Sequence, residues 1–268
     1  MENFQLNFHF IFENRQTSQM WSSFLIYIVN PNDFQIKENL SNSSTSNTFL
    51  VIQNDTHDQY VMKTFNNIDK SIIEDKFVNV CSKLKKNSYL CFKNISYISK
   101  PDFDNKIPPA IYTLYAQNKS LKNLLEQRNT YNEYDETQKY IILYGIIKFL
   151  KHFHHDNQIH GRLKLSNILL DDNFYPMITD PFINEFDTEK SHLEQEKNID
   201  CFIYFSPELI NNQPPSQMSD IYAFGIIALQ VLSNKIDIYD DISNDIEQIK
   251  NYVLNENKPT IPHEIPGI

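Results

Sequence analysis

The sequence predicts a two-lobed α+β fold in which a small antiparallel sheet precedes a mainly helical part. Strand-like runs concentrate in residues 34–115, whereas the longest helical patterns lie in residues 116–268. The chain has 268 residues, of which 41% are hydrophobic and 13% aromatic, which is enough for two lobes with a packed core. Residues 1–33 form an N-terminal extension to which the sequence assigns no role.

The first lobe, residues 34–115, is predicted to be built mainly from strands. The polar run SNSSTSNT at 41–48 predicts a hairpin loop within it. Apolar residues at three- and four-residue steps predict a single helix over 66–84. The strands after the hairpin loop are expected at 49–53, 59–65, 89–97 and 110–115.

The second lobe, residues 116–268, is predicted to be mainly helical. Its helices are expected at 120–127, 136–154 and 220–232, with Ser120 as the N-cap of the first. Two short strands are expected between residues 158 and 178, and the proline-punctuated end at 255–268 is predicted to be irregular.

Charge and glycine content exclude several classes of protein. The net charge is −10, from 24 Lys and Arg against 34 Asp and Glu, so we expect no nucleic-acid partner. The chain holds only 4 glycines, and none of them form the GxGxxG or Walker A loops that let a backbone approach phosphate closely. Rossmann dinucleotide enzymes and P-loop NTPases are therefore excluded.

Cysteine usage and hydropathy indicate an intracellular protein. The 3 cysteines form no CxxC pair, which is typical of a reduced protein with neither a disulfide framework nor a zinc cluster. The apolar run at 24–29 is too short to span a bilayer, and the N-terminus lacks a basic leader. We therefore expect no membrane partner and a cytoplasmic location.

Four ordered segments in the second lobe carry the most specific pattern in the chain. They are IHGRLKLSNILLD at 159–171, TDPF at 179–182, SPE at 206–208 and SDIYAFG at 219–225. Together they resemble the HRDLKxxN, DFG, APE and DxxxFG motifs of the eukaryotic protein kinase family. Upstream, YVMK at 60–63 resembles the VAIK strand of that family. LYAQNKSL at 114–121 resembles its hinge, as in the tyrosine-kinase-like branch.

The resemblance covers roughly residues 34–268 and implies a bilobal protein-kinase-like fold. It also implies an ATP site with Mg²⁺, built from residues at the matching positions. Lys63 would contact the α- and β-phosphates, Lys164 belongs to the catalytic loop, and Asn167 with Asp180 would hold the metal. The remaining ATP-binding positions are Tyr115 and Ala116 in the hinge and Ser41, Ser43 and Ser46 in the phosphate-covering loop.

The match fails at the residues that carry the chemistry. Arg162 stands where the family has the aspartate that accepts the proton of the substrate hydroxyl, and Gly161 replaces the arginine before it. A guanidinium has no acceptor and stays protonated near neutral pH, so Arg162 is not a general base. The serines at 41, 43 and 46 replace the family's glycines, which weakens nucleotide binding.

The segment after the second short strand departs from the family as well. Asp180 is retained, but Pro181 and Phe182 follow it in place of Phe and Gly. Because the residue before a proline is biased towards extended backbone, we expect Asp180 to be extended and the loop to be rigid.

Several assignments stay open on the sequence alone. The family's glutamate partner of Lys63 falls on Phe77, and Glu74 would replace it only with a register shift, so Asp180 is the other candidate partner. Asp180 pairs with Lys63 or Arg162, or it holds a metal. Asn167 is either a metal ligand or a support for the loop backbone.

Two further features have a plain structural explanation beside a functional one. Cys201 is a candidate reactive thiol or a small buried filler. The histidines at 152, 154, 155 and 160 lack a cysteine or carboxylate ligand set, and we therefore predict no metal there.

Three functions agree with the resemblance. The first is a pseudokinase that binds or regulates protein partners in signalling, with weak ATP and Mg²⁺ binding or none. The alternative is an unusual but active Ser/Thr kinase that uses Lys63, Asn167 and Asp180. The third is a copy that does not fold stably, because Glu208 normally pairs with an arginine of a later helix and the C-lobe appears truncated at Ile268.

Overall fold

The computed structural model describes the chain in segments. They are residues 27–42, 46–65, 95–99, 110–115, 120–127, 135–180, 198–239, 242 and 245–259. The predicted helix at 66–84 lies outside these residues, as do Ser43, Glu74, Phe77, Ala116, Pro181 and Phe182.

The N-terminal lobe is a sheet of six strands in the described part of the chain. The strands are β1 (Tyr27–Ile28), β2 (Phe34–Asn42), β3 (Ser46–Gln53), β4 (Gln59–Phe65), β5 (Ile95–Ser99) and β6 (Ala110–Leu114). Their order across the sheet is β1-β5-β6-β4-β3-β2. Neighbouring strands are antiparallel except β1 and β5, which are parallel. The predicted sheet lobe is confirmed, with an added edge strand from the N-terminal extension.

The alternation of side chains along β4 directs Lys63 away from the core of the sheet. Tyr60 and Met62 are buried in a cluster with Phe34 and Tyr112, whose rings stack with centroids 4.4 Å apart. Because successive strand residues point to opposite faces, Lys63 lies on the other face. Lys63 is paired in register with Thr48 of β3 and Ile111 of β6, which fixes its position within the sheet.

The predicted polar loop at 41–48 is too long. Ser41 pairs with Thr48 and Asn42 pairs with Asn47, so both strands continue into the serine-rich run. Ladder hydrogen bonds use backbone groups alone, and exposed polar side chains do not interrupt them. Ser41 and Ser46 are therefore strand residues rather than loop residues.

The C-terminal lobe is helical around one short hairpin. Its described helices are α1 (Leu121–Glu126), α2 (Glu136–His155), α3 (Ile199–Phe202), α4 (Pro207–Ile210), α5 (Gln217–Ser233) and α6 (Ile246–Leu254). The hairpin pairs β7 (Ile168–Leu170) with β8 (Pro176–Ile178) in antiparallel register. Helix α6 is not among the helices expected from the sequence.

Capping side chains set the starts of the main helices. Ser120 caps α1 as predicted, and Asp135 caps α2; each forms a reciprocal box with the residue three positions on. Ser216 caps α5 in the same way, so this helix begins three residues before the predicted start at 220.

Helices α2 and α5 pack together to form the core that supports the candidate site. Helix α2 contributes a fully buried apolar face, and Ile227 and Val231 of α5 belong to the same cluster. On another side of α2, a Cβ at Gly145 would lie only 2.5 Å from Cδ of Pro176. The absence of a side chain at Gly145 therefore lets the β7–β8 hairpin close onto α2.

Candidate functional site

The hairpin gathers the predicted site residues at one end. The loop 159–167 joins α2 to the hairpin and carries Arg162, Lys164 and Asn167, while Asp180 follows β8. Ile168 pairs with Ile178, and Thr179 donates its backbone N–H to the carbonyl of Asn167 at 2.8 Å. The ladder thus holds the two predicted metal-binding positions, Asn167 and Asp180, on adjacent chain segments.

Asp220 at the start of α5 anchors the loop. Its side chain is only 1% exposed, and its carboxylate accepts hydrogen bonds from the backbone N–H groups of His160 at 2.9 Å and Gly161 at 2.8 Å. His154 Nε2 of α2 lies 2.9 Å from the same carboxylate. Gly161 has φ of 72°, a conformation that glycine adopts without a steric cost. This arrangement fixes the backbone on which Arg162 stands.

His160 is held as a neutral imidazole by its two ring contacts. Nε2 lies 3.0 Å from the carbonyl oxygen of Thr179 and must donate to it, while Nδ1 accepts the backbone N–H of Arg162 at 3.2 Å. Burial lowers the pKa of His160, although Asp220 and the Thr179 carbonyl oppose this effect. Both ring nitrogens are therefore engaged in holding the loop.

Lys63 and Asp180 form an ion pair across the two lobes. Lys63 Nζ lies 2.7 Å from Asp180 Oδ2, and the side chains are 19% and 28% exposed. Burial alone would raise the pKa of Asp180, but the charge and hydrogen bond of Lys63 outweigh it and the pKa lies below its usual value. The carboxylate is thus ionised and already held by a cation.

The expectation that Asp180 is extended is wrong. Asp180 has φ of 63°, in the left-handed region. The proline that follows disfavours right-handed α conformations, but it does not prevent a left-handed one, and aspartate tolerates this region better than most residues. Anchoring of Thr179 to Asn167 and of Asp180 to Lys63 holds the backbone there.

Arg162 is a half-buried cation whose guanidinium atoms Nε and Nη2 are buried. Burial lowers the pKa of its guanidinium to about 10, and the neighbouring Asp180 opposes this shift. The group therefore keeps its positive charge at neutral pH. A positive charge occupies the place where the family resemblance implies a proton acceptor.

Asn167 and Lys164 both contact the protein around them. Asn167 Nδ2 donates to the carbonyl of Arg162 at 2.9 Å, which corresponds to the backbone-supporting alternative. Lys164 Nζ lies 3.2 Å from Sγ of Cys201 in α3, and Cys201 is partly buried. Lys164 thereby links the loop to α3.

Only some of the residues predicted to contact a nucleotide lie near Lys63 in the sheet. Ser41 and Thr48 are paired, and Thr48 is paired with Lys63, so Ser41 lies level with Lys63 two strands away. Ser46 is paired with Phe65. Tyr115 is 38% exposed and donates its backbone N–H to the carbonyl oxygen of Gln59 at 3.0 Å, where the central strands β6 and β4 end.

One ion pair near the site could not be predicted from the sequence. Lys122 Nζ of α1 lies 2.7 Å from Asp200 Oδ2 of α3. The two residues are 78 positions apart, and neither belongs to a motif. This contact and that of Lys164 tie α3 to two separate parts of the C-terminal lobe.

The histidine-rich stretch does not form a metal site in the described residues. No group of three or more His, Cys, Asp or Glu side chains suited to a metal ion occurs among them. His154 and His160 instead bond to Asp220 and Thr179. Within the same residues, no helix has the length and apolar character needed to cross a membrane.

Comparison with known proteins decides the family. The profile of the protein kinase domain matches residues 34–265, which is most of the chain. The chain belongs to the protein kinase domain family. The family in general uses ATP and Mg²⁺, and the bilobal fold agrees with this membership.

Receptor-like kinases are among the relatives of this kinase domain. Over 125 residues it is 36% identical to cysteine-rich receptor-like protein kinase 22 of Arabidopsis thaliana. It is 30% identical over 125 residues to cysteine-rich receptor-like protein kinase 10 of Oryza sativa subsp. japonica. Each match covers 45% of this chain and 19% of the relative. The matched stretch thus spans about a fifth of the length of these relatives.

Proposed function

We propose that this kinase domain is a pseudokinase, which binds or regulates protein partners in intracellular signalling without transferring phosphate at a meaningful rate. The observation that carries the proposal is the buried, charged guanidinium of Arg162 at the position of the family's catalytic base. Loss of a general base lowers an enzymatic rate by roughly 10²–10⁴-fold.

Among the residues that the structure describes, the groups beside Arg162 do not replace the missing base. Asp180 is paired with Lys63 at 2.7 Å. His160 uses both ring nitrogens on Thr179 and the backbone of Arg162. Lys63 holds the pKa of Asp180 below its usual value, so this carboxylate is a weaker base than an unpaired one, and both ring nitrogens of His160 are engaged.

An unusual but active Ser/Thr kinase is the second candidate. The observation in its favour is that Lys63, Asn167 and Asp180 are retained and stand on adjacent segments. Phosphoryl transfer depends largely on positioning and electrostatics, so these residues would still supply part of the rate.

A transfer assay separates the two candidates. The purified chain is incubated with γ-labelled ATP, Mg²⁺ and a generic protein substrate, beside Lys63→Ala. The pseudokinase proposal predicts that wild type does not exceed the Lys63→Ala background. Transfer by wild type that Lys63→Ala abolishes would contradict it. A cooperative melting transition for both proteins checks that each is folded, and its absence in wild type would favour a copy that does not fold stably.

A further inference from the structure

We propose that the exposed face of helix α2 binds the same face of a second copy of this chain, with the two helices antiparallel. The α2 face is defined by Glu136, Tyr140, Tyr144, Ile147 and Lys151, which are all exposed. None of these residues belongs to the candidate site. The proposal goes beyond the proposed function, because it concerns assembly of the chain rather than phosphate transfer.

The α2 face carries large apolar side chains that lie in solvent. Tyr140, Tyr144 and Ile147 are 50%, 66% and 44% exposed. They follow one another at steps of four and three residues, so they form one line along the helix, opposite the buried residues that join the core. Single exposed apolar residues are common on soluble proteins, whereas a continuous line of them marks an interaction surface.

The β7–β8 hairpin widens the α2 face. Pro176 packs against Gly145, which brings the neighbouring Tyr175 beside the helix, and Tyr175 is 58% exposed. Since one aromatic side chain buries about 150–250 Å², the exposed parts of the three tyrosines and Ile147 add up to about 400 Å². A stable interface buries about 800 Å² per partner, so the apolar line would form its centre and the polar ends of the helix would supply the rest.

The charges along α2 are segregated between its two ends. Asp135 and Glu136 lie exposed at the start, and the Glu136 side chain is 55% exposed although it also pairs with Lys139. The C-terminal half of the helix contains no acidic residue, and Lys148 and Lys151 are exposed there. Antiparallel packing therefore places the basic end of each helix against the acidic start of the other, on both sides of the tyrosines.

The same charges decide between the possible occupants of the α2 face. A parallel pair of helices would bring Lys148 and Lys151 of one copy against the same residues of the other, and it would align the two helix dipoles. An unrelated acidic partner would match only the basic end. A two-fold axis perpendicular to α2 near Tyr144 makes the pair antiparallel, matches both ends and closes the assembly at two copies.

Sedimentation of the full chain tests the assembly at about 0.15 M salt, where long-range repulsion between two acidic copies is screened. The proposal predicts a monomer–dimer equilibrium between about 1 and 100 µM. Tyr144→Glu should weaken dimerisation at least about tenfold, because it brings two carboxylates together at the axis. Met218→Glu is the matched control and should leave the dimer unchanged, since Met218 is 68% exposed on α5 and gains the same charge.

Three results of the sedimentation experiment would overturn the proposal. The first is a wild-type chain that stays monomeric at about 100 µM. The second is a folded Tyr144→Glu variant that dimerises as wild type does. The third is an equal loss in Tyr144→Glu and Met218→Glu, which would assign the effect to total charge rather than to the α2 face.

Thiol crosslinking of mixed variants tests the orientation of the two helices. Thr137→Cys and Lys151→Cys are mixed and treated with a short bis-maleimide, beside each variant alone and beside wild type, which carries only the native cysteines. In an antiparallel pair, position 137 of one copy faces position 151 of the other, whereas two copies of the same position lie about 21 Å apart. More crosslinked dimer is expected in the mixture than in either variant alone. Equal or stronger crosslinking of the separate variants contradicts the proposal.

The outcomes keep this proposal separate from the proposed function. Phosphate transfer that depends on Lys63 would end the pseudokinase proposal and leave the dimer in place. A monomeric chain would end the inference of a dimer and leave the pseudokinase proposal in place.

Discussion

The two halves of the candidate site differ in how far they follow the protein kinase family. The half that anchors the loop, made of His154, His160, Gly161 and Asp220, forms a complete hydrogen-bond network on buried groups. The half that faces the cleft, made of Lys63, Arg162, Lys164 and Asp180, has lost the proton acceptor and gained a cation. The difference indicates that the catalytic loop can keep its backbone position after its catalytic residues change. The loop backbone is anchored through Asp220, but the side chains that face the cleft do not suit phosphoryl transfer.

The largest expected effect comes from breaking the anchoring half. In Asp220→Ala, two backbone N–H groups and His154 lose the buried acceptor that they share. Removal of one partner from a buried charged network costs about 3–5 kcal/mol, so the free energy of unfolding in urea should fall by that amount. Asp55→Asn is the control, because Asp55 lies exposed in a turn. A loss below about 1 kcal/mol would show that Asp220 is not the anchor.

A smaller effect is expected where the hairpin meets α2. Gly145→Ala places a methyl group 2.5 Å from Cδ of Pro176 and should destabilise the chain by about 1–3 kcal/mol through overpacking. Gly225→Ala is the matched control, since no atom lies within 4 Å of the added group, and it should stabilise α5 by up to about 1 kcal/mol. Thermal unfolding of the two variants gives the comparison, and equal shifts would argue against close packing at Gly145.

The pH dependence of stability reports on His160. Its pKa in the folded state lies below the ordinary value, so the unfolded chain binds this proton more readily. Stability from this group is present above about pH 6.5 and is lost as the pH falls, by up to about 1.4 kcal/mol per pH unit. Urea unfolding between pH 5 and pH 8 measures the slope. His160→Gln should reduce the slope, whereas His155→Gln should not, because His155 is 86% exposed.

Local patterns explain why much of the fold is predictable from the sequence. Ser120 lies before a helical run and caps α1, and apolar spacing places α2 within one residue of its observed end at His155. The polar run that begins at Ser41 wrongly predicts a long loop. The exposed strands β2 and β3 continue into it because their backbone hydrogen bonds do not depend on apolar side chains. Helix α6 was predictable as well, because Ile246, Ile249 and Val253 recur at three- and four-residue steps and the last two are buried.

The sequence predicts which residues form the site, but it does not predict which of them pair with each other. The motif spacing identifies Lys63, Arg162, Asn167 and Asp180, but it leaves open whether Asp180 meets a lysine, an arginine or a metal. That choice depends on how the sheet approaches the hairpin, which is a long-range property. The left-handed backbone of Asp180 and the pairing of Lys122 with Asp200 have the same origin, since each is set by contacts between distant segments.

The most direct test of the central claim is the rate of γ-phosphate transfer by Arg162→Asp compared with wild type under Mg²⁺. Both are measured against the Lys63→Ala background. Restoring the carboxylate to a loop that is already held in place should raise transfer about tenfold or more above the Lys63→Ala background, which wild type is not expected to exceed. Wild-type transfer that depends on Lys63 and is not raised by Arg162→Asp would contradict the claim.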